Sequence, residues 1–219
     1  QSSRNGSRYA DRYVDSIDFY YPAEHSEVKL EDSPVTGQIA PLYECFGFDS
    51  YKRYNVEVLD RDNIIYASGI TYTIFNYFTQ ERRVFFSKDG GGIGSIAVHP
   101  SKKYYAVAEK GAWPNIYIYE FPSLKLYRVL RKGTERSYSN ICFSQNGNSI
   151  ASVGSSPDYL LCVWEWLQEV VILKSKAFSQ EVYKVSFNRF NEHALTTSGM
   201  GHIKFWKIAE TFTGLKLQG

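Results

Sequence analysis

Several groups of residues in this 219-residue chain have types and spacings that chemistry could use. Gly90-Gly91-Gly92-Ile93-Gly94 has the glycine density of a phosphate cradle. A nucleotide fingerprint needs a strand, a glycine turn and then a helix N-terminus. These glycines lead into an apolar run that reads as a strand, so we read a turn between two structural units. The four histidines, His25, His99, His193 and His202, show no ligand spacing, and we assign no metal. The three cysteines, Cys45, Cys142 and Cys162, form neither a disulfide framework nor a CxxC pair. Cys142 and Cys162 sit in apolar runs and read as small buried hydrophobes. A nucleophilic cysteine needs exposure and a neighbouring base. Glu44, Asp49, Glu57, Asp60 and Asp62 cluster along the chain. Paired acid–base work needs two carboxylates across one cleft, and solvated turns explain these better. We therefore expect no catalytic residue, no cofactor and no enzyme.

Two stretches interleave aromatic and basic side chains, Tyr51-Lys52-Arg53-Tyr54 and Tyr127 to Lys132. Platforms for single-stranded nucleic acid use that combination. The same alternation arises on an outer strand that faces water on one side. The charge decides. The net charge is +2, with four basic and nine acidic groups in residues 1–50 and a diffuse basic surplus after them. That is too thin for a nucleic-acid footprint. The second stretch suits an acidic protein partner. No apolar run approaches the roughly 18 residues of a membrane helix, so no membrane partner is expected. The chain opens at Gln1 without a signal-peptide pattern, and we read reduced cytosolic thiols. The short Asn5-Gly6-Ser7 sequon is a pattern common by chance.

The elements that hold these residues follow from a repeat. Val98, Phe143 and Phe187 end three similar segments, spaced 45 and 44 apart. Tyr119, Trp164 and Trp206 form a second series, spaced 45 and 42, with Phe75 lying 44 before Tyr119. A period of 40–45 residues is that of a four-stranded propeller blade. Aromatic residues make up 16% of the chain and favour strands. In one copy we place strand a at about 139–144, b at 149–153, c at 160–164 and d at 170–174. Short apolar runs with little charge fit strands buried on both faces, and none shows a helical spacing.

These residues resemble WD repeats. The stretch from Gly133 to Gly147 matches the family's segment from Gly-His to Asp-Gly, and Asp158 precedes Trp164 by six residues. The resemblance implies a hydrogen-bonded set of His, Ser or Thr, Asp and Trp that ties a blade together. Here Ser152, Asp158 and Trp164 fit, with Thr134 at the His position. In the next copy Trp206 fits, while Phe178 and Met200 stand at the His and Asp positions. These departures weaken the expected set without disturbing the strand pattern. The fold class is all-β, a WD-type propeller segment of about four blades within a larger propeller. The blades are expected at about 54–88, 90–132, 133–175 and 177–219, inside a domain spanning 42–219. Residues 1–41, rich in Pro and acidic groups, are expected to form an extended linker or strap.

A narrower resemblance rests on GGGIG with AVHP, VAEKG, IYEFPSLK, KAFSQEV, TTSGMGHIKFW and FTGLKLQG. These segments, between Leu42 and Gly219, are similar to an axonemal WD-repeat family of the cilia- and flagella-associated group. That resemblance implies a non-catalytic scaffold in the axoneme of the cilium or flagellum, in the tether that holds inner-arm dynein to the doublet microtubule. The implied partners are inner-arm dynein heavy chains, a second WD-repeat tether subunit and doublet-microtubule proteins, in a large hetero-complex. A scaffold of another cytosolic assembly, such as a trafficking coat, is the alternative.

Partner contacts are expected on loops, because a rigid scaffold positions them. Loops from d to the next a, and from b to c, share one face of a propeller. On this register they carry Lys88, Asp89, Trp113, Arg136, Tyr159, Phe178 and Met200. Trp113 and Phe178 are large aromatics of the kind that anchor interfaces.

Overall fold

The computed structural model describes residues 47, 48, 50, 53–211 and 214–219. The strap expected over 1–41 lies outside them, as do His25, Glu44, Cys45, Asp49, Tyr51 and Lys52. The described residues form sixteen strands and no helix.

Four antiparallel sheets follow one another along the chain, each built from four consecutive strands. The first holds β1 (Val56–Val58), β2 (Asn63–Ser68), β3 (Thr71–Asn76) and β4 (Arg82–Phe86). The second holds β5 (Ile93–Val98), β6 (Tyr104–Glu109), β7 (Ile116–Glu120) and β8 (Leu126–Leu130). The third holds β9 (Tyr138–Phe143), β10 (Ser149–Gly154), β11 (Leu160–Glu165) and β12 (Val170–Lys176). The fourth holds β13 (Val182–Phe187), β14 (Ala194–Gly199), β15 (His202–Thr211) and β16 (Gly214–Gln218). Four-stranded meanders in series are the blades of a WD-type propeller. β12 runs two residues beyond the expected end of strand d. The register shifts between Val163 and Trp164, which pair with Leu173 and Val171, so Ile172 bulges out and the ladder continues to Lys176.

Burial on both faces explains the apolar runs. In β11, Leu161 and Val163 pack towards the fourth sheet, and Cys162 and Trp164 towards the second. The core is thus three clusters, one at each junction of successive sheets. Strand c shows the arrangement best. Tyr72 and Ile74, Ile116 and Ile118, and Leu161 and Val163 occupy the same two repeat positions and are buried by the following sheet. Ile203 and Phe205 hold those positions in the fourth sheet, and they are 70% and 74% exposed.

The first strands of successive sheets are also joined by polar groups at a 45-residue interval. The Ile141 N–H donates to Ser95 Oγ at 3.2 Å, and Asn140 Nδ2 donates to the same oxygen at 3.4 Å. Asn140 Oδ1 accepts the Val185 N–H at 3.0 Å. One buried amide therefore links the inner strands of three sheets. Leaving such groups unpaired costs about 1–3 kcal/mol each.

Candidate functional site

The loops from d to a (87–92, 131–137 and 177–181) and from b to c (110–115, 155–159 and 200–201) meet in pairs, and each pair uses different chemistry. In the third sheet, Thr134 Oγ1 donates to Asp158 Oδ1 at 2.9 Å, and the Glu135 N–H donates to Oδ2 at 2.9 Å. Trp164 Nε1–H donates to Ser152 Oγ at 2.8 Å. The expected four-membered set is thus present as two separate pairs. The threonine hydroxyl reaches Asp158, but no hydrogen bond joins it to Ser152. Trp206 repeats the second pair, donating to Thr197 Oγ1 at 2.9 Å.

In the second sheet the carboxylate has changed sides. Asp89, on the d-to-a loop, accepts from the Asn115 N–H at 2.8 Å and from Tyr117 Oη at 2.7 Å. Asp89 stands where Thr134 stands one repeat later, and Asn115 lies near the position of Asp158. In the fourth sheet the polar pair is replaced by a stack, with Phe178 and His202 ring centroids 3.9 Å apart and 23° between planes.

A buried carboxylate that the sequence pattern did not single out fixes the first of these loops. Glu109, at the end of β6, accepts from Ser87 Oγ at 2.6 Å and from the N–H groups of Lys88 and Asp89 at 2.8 and 2.6 Å. Burial raises its pKa, and the three donors offset part of the rise. Three donors wrapped on one internal acceptor account for the shape of the turn. Gly92 sits at φ 101°, in the region that favours glycine, and a Cβ on Gly91 would meet the Lys110 carbonyl oxygen at 2.3 Å. The glycine run is this turn.

The expected contact residues therefore divide. Asp89 commits its carboxylate within the fold. Phe178 is half-buried against the core of the third junction, in addition to its stack on His202. Tyr159 is half-buried, and its N–H donates to the Ser155 carbonyl. Lys88, Trp113, Arg136 and Met200 stay exposed. Trp113 is 63% exposed, yet its backbone is held. Its N–H donates to the Glu135 carbonyl at 2.9 Å, and the Gly111 N–H to the Arg136 carbonyl at 2.8 Å. A large aromatic on a fixed loop loses little entropy when it is covered.

Neither of the two described cysteines offers a reactive thiolate. Burial pushes both Cys142 and Cys162 up to about 12. Among the described residues no group of His, Cys, Asp and Glu could hold a metal ion.

His99 has a packing role. Its ring lies 5.1 Å from Phe143, 5.7 Å from Tyr104 and 5.7 Å from Trp166, at the junction of the second and third sheets. Its Nε2 lies 3.1 Å from the Gly147 carbonyl, which also accepts from Trp166 Nε1–H. Burial lowers the His99 pKa, and the Gly147 carbonyl works against that. A histidine whose folded pKa lies below its unfolded value of about 6.5 gives stability that is full above that pH. The contribution falls as pH drops below it, because the unfolded chain takes up the proton first. Urea midpoints of the wild type should therefore decline relative to His99→Phe as pH falls from about 6.5 to about 5. Parallel curves for the two proteins would mean that the ring is effectively in water. The comparison isolates His99 from Glu57 and Glu109, whose raised pKa values act with the opposite sign.

No protein-family model matches the chain. By sequence it is similar to cilia- and flagella-associated protein 44 of Mus musculus, 50% identical over 206 residues that cover 92% of this chain and 11% of that protein. The protein of the same name from Chlamydomonas reinhardtii is 47% identical over 85% of the chain and 11% of its own length. The 77 kDa echinoderm microtubule-associated protein of Lytechinus variegatus is 26% identical over 72% of the chain and 25% of its own length. The chain thus spans about a tenth of the first two relatives. The similarity to proteins named for cilia and flagella covers most of the chain and, at 92% of its length, reaches upstream of Leu42.

Proposed function

We propose that this chain is a propeller segment of a non-catalytic ciliary scaffold, working in the axoneme to tether inner-arm dynein heavy chains to the doublet microtubule. A second WD-repeat subunit and doublet proteins complete the assembly. The observation that carries the reading is the 50% identity, over 92% of the chain, to a protein named for cilia and flagella. The fold supports it: four-stranded meanders in series hold exposed side chains such as Trp113 on loops whose backbone is fixed by hydrogen bonds. The open strand-c positions Ile203 and Phe205 fit a further blade packed on the fourth sheet, as part of a larger propeller.

The test uses the full-length protein, tagged in a ciliated cell. It should remain with axonemes after the membrane is removed with detergent, and inner-arm dynein heavy chains should be recovered with it. A protein found mainly in the soluble or vesicular fraction overturns the axonemal reading in favour of a trafficking coat. Trp113→Ala should reduce dynein recovery while leaving the melting temperature of the chain within about 1 °C, as expected of an exposed side chain. Unchanged recovery would move the contact away from this face.

A further inference from the structure

The three junctions between successive sheets can be compared position by position on the face formed by the a-to-b and c-to-d loops. At the second junction the site is filled. Trp166 lies there, 2% exposed, among His99, Tyr104, Tyr127 and Phe143. The register gives each of these a counterpart one repeat later. Ser144 follows β9 as His99 follows β5. Ser149 opens β10 as Tyr104 opens β6. Ile172 is the bulged residue of β12, as Tyr127 is of β8. Phe187 ends β13 as Phe143 ends β9, and Ile208 lies two residues after Trp206 as Trp166 lies two after Trp164.

At the third junction these counterparts line an open groove of about 210 Å³. Two serines replace a histidine and a tyrosine, and isoleucines replace a tyrosine and the tryptophan. The loss of aromatic volume at one repeat position explains the groove. Its floor is apolar, formed by Leu173, Phe187 and Ile208, and Ile172 and Leu215 are exposed at its edge. The matching groove of the first junction is different in kind. Phe121 takes the Trp166 position there, and Asn63, Asn76, Glu81 and Arg83 make the lining polar.

Charge identifies what the apolar groove accepts. Glu192 is the only Asp, Glu, Lys or Arg in its lining, and the Asn146 amide donates to its carboxylate across the mouth. We infer that the groove between the third and fourth sheets is a docking site for a partner protein segment that inserts a large aromatic side chain flanked by a lysine or arginine. The ring takes the place that Trp166 fills from within at the second junction, and the cation meets Glu192. The inference deepens the scaffold reading, on which it rests, by naming a second contact face and the chemistry it selects.

The experiment titrates the chain with N-acetyl-Lys-Trp-amide and N-acetyl-Glu-Trp-amide, followed by ligand-detected NMR. Saturable binding of the first is expected. The second should bind about two- to fivefold more weakly, the effect of one exposed ion pair. Glu192→Lys should reverse that preference. Ile208→Trp, which supplies the plug internally, should abolish binding of both with the circular dichroism unchanged. Should that variant not fold, Ser144→His with Ser149→Tyr restores the residues of the second junction and should have the same effect. Absence of saturable binding, or full binding by a folded plugged variant, overturns the proposal. Axonemal retention of the full-length protein is a separate readout, so failure here and failure of the scaffold reading are distinguishable.

Discussion

Trp164→Ala should lower the unfolding free energy of the chain by about 3–5 kcal/mol, the cost of emptying a large buried aromatic site. The ring is fully buried at the junction of the second and third sheets, in one cluster with Ile116, Ile118, Tyr138 and Cys162. Its Nε1–H satisfies Ser152, which is 1% exposed. The alanine variant leaves a cavity and an unpaired hydroxyl together. Trp164→Phe separates the two in part, because it keeps most of the packing and forfeits the hydrogen bond, costing about 1–3 kcal/mol. Trp206→Ala should fall at the low end of the same range, about 3 kcal/mol. Its ring is buried at the third junction and bonded to Thr197, but the far side of its own sheet is open. Urea unfolding followed by far-ultraviolet circular dichroism measures all three. A loss below about 1 kcal/mol for Trp164→Ala would place the ring at the surface and undo the register on which every repeat comparison rests.

Glu109→Ala should cost about 2–4 kcal/mol, because three donors lose one acceptor and buried unpaired donors cost about 1–3 kcal/mol each. The total stays below the full sum, since Lys88 lies in an exposed turn where water can reach its N–H. The damage should be local as well as global. Hydrogen exchange at the Lys88 and Asp89 amides should accelerate well before the strands open, because the loop loses its anchor while the ladders of the second sheet remain. Glu109→Gln retains an acceptor oxygen and should recover part of the loss. A wild-type exchange rate at both amides in Glu109→Ala would mean that the turn holds itself and that the carboxylate is incidental. Asp158→Ala provides the comparison. It removes one acceptor from Thr134 and the Glu135 N–H, and a smaller loss of about 1–2 kcal/mol is expected.

The period was legible in the linear sequence because a blade is a local object. Its four strands are consecutive, so the positions that face the next blade recur at the length of one meander. Val98, Phe143 and Phe187 each end the first strand of a sheet for that reason, and Trp164 and Trp206 each lie on the third. The turn at the glycine run was legible too, since an apolar run after glycine implies a strand and not a helix N-terminus, and β5 follows it. Strand ends were less so. Ile172 reads as one more residue of a strand, and only the ladder shows that it bulges and lets β12 run to Lys176.

The tertiary structure decided whatever depends on two segments that are distant along the chain. Glu109 gave no signal, because one acidic residue at the end of an apolar strand looks the same whether it is solvated or wrapped by a turn 20 residues away. Asn140 bonds to residues 45 positions away on either side, a relation that only stacked sheets create. Phe178 and Trp113 are both large aromatics at loop positions. One is stacked on His202 and the other stands in solvent, because burial is set by which loop lies opposite. The groove at the third junction arises in the same way. Two serines and two isoleucines are unremarkable in sequence. They form a cavity because sheet packing brings all four to the place where the preceding junction carries a tryptophan and its aromatic shell.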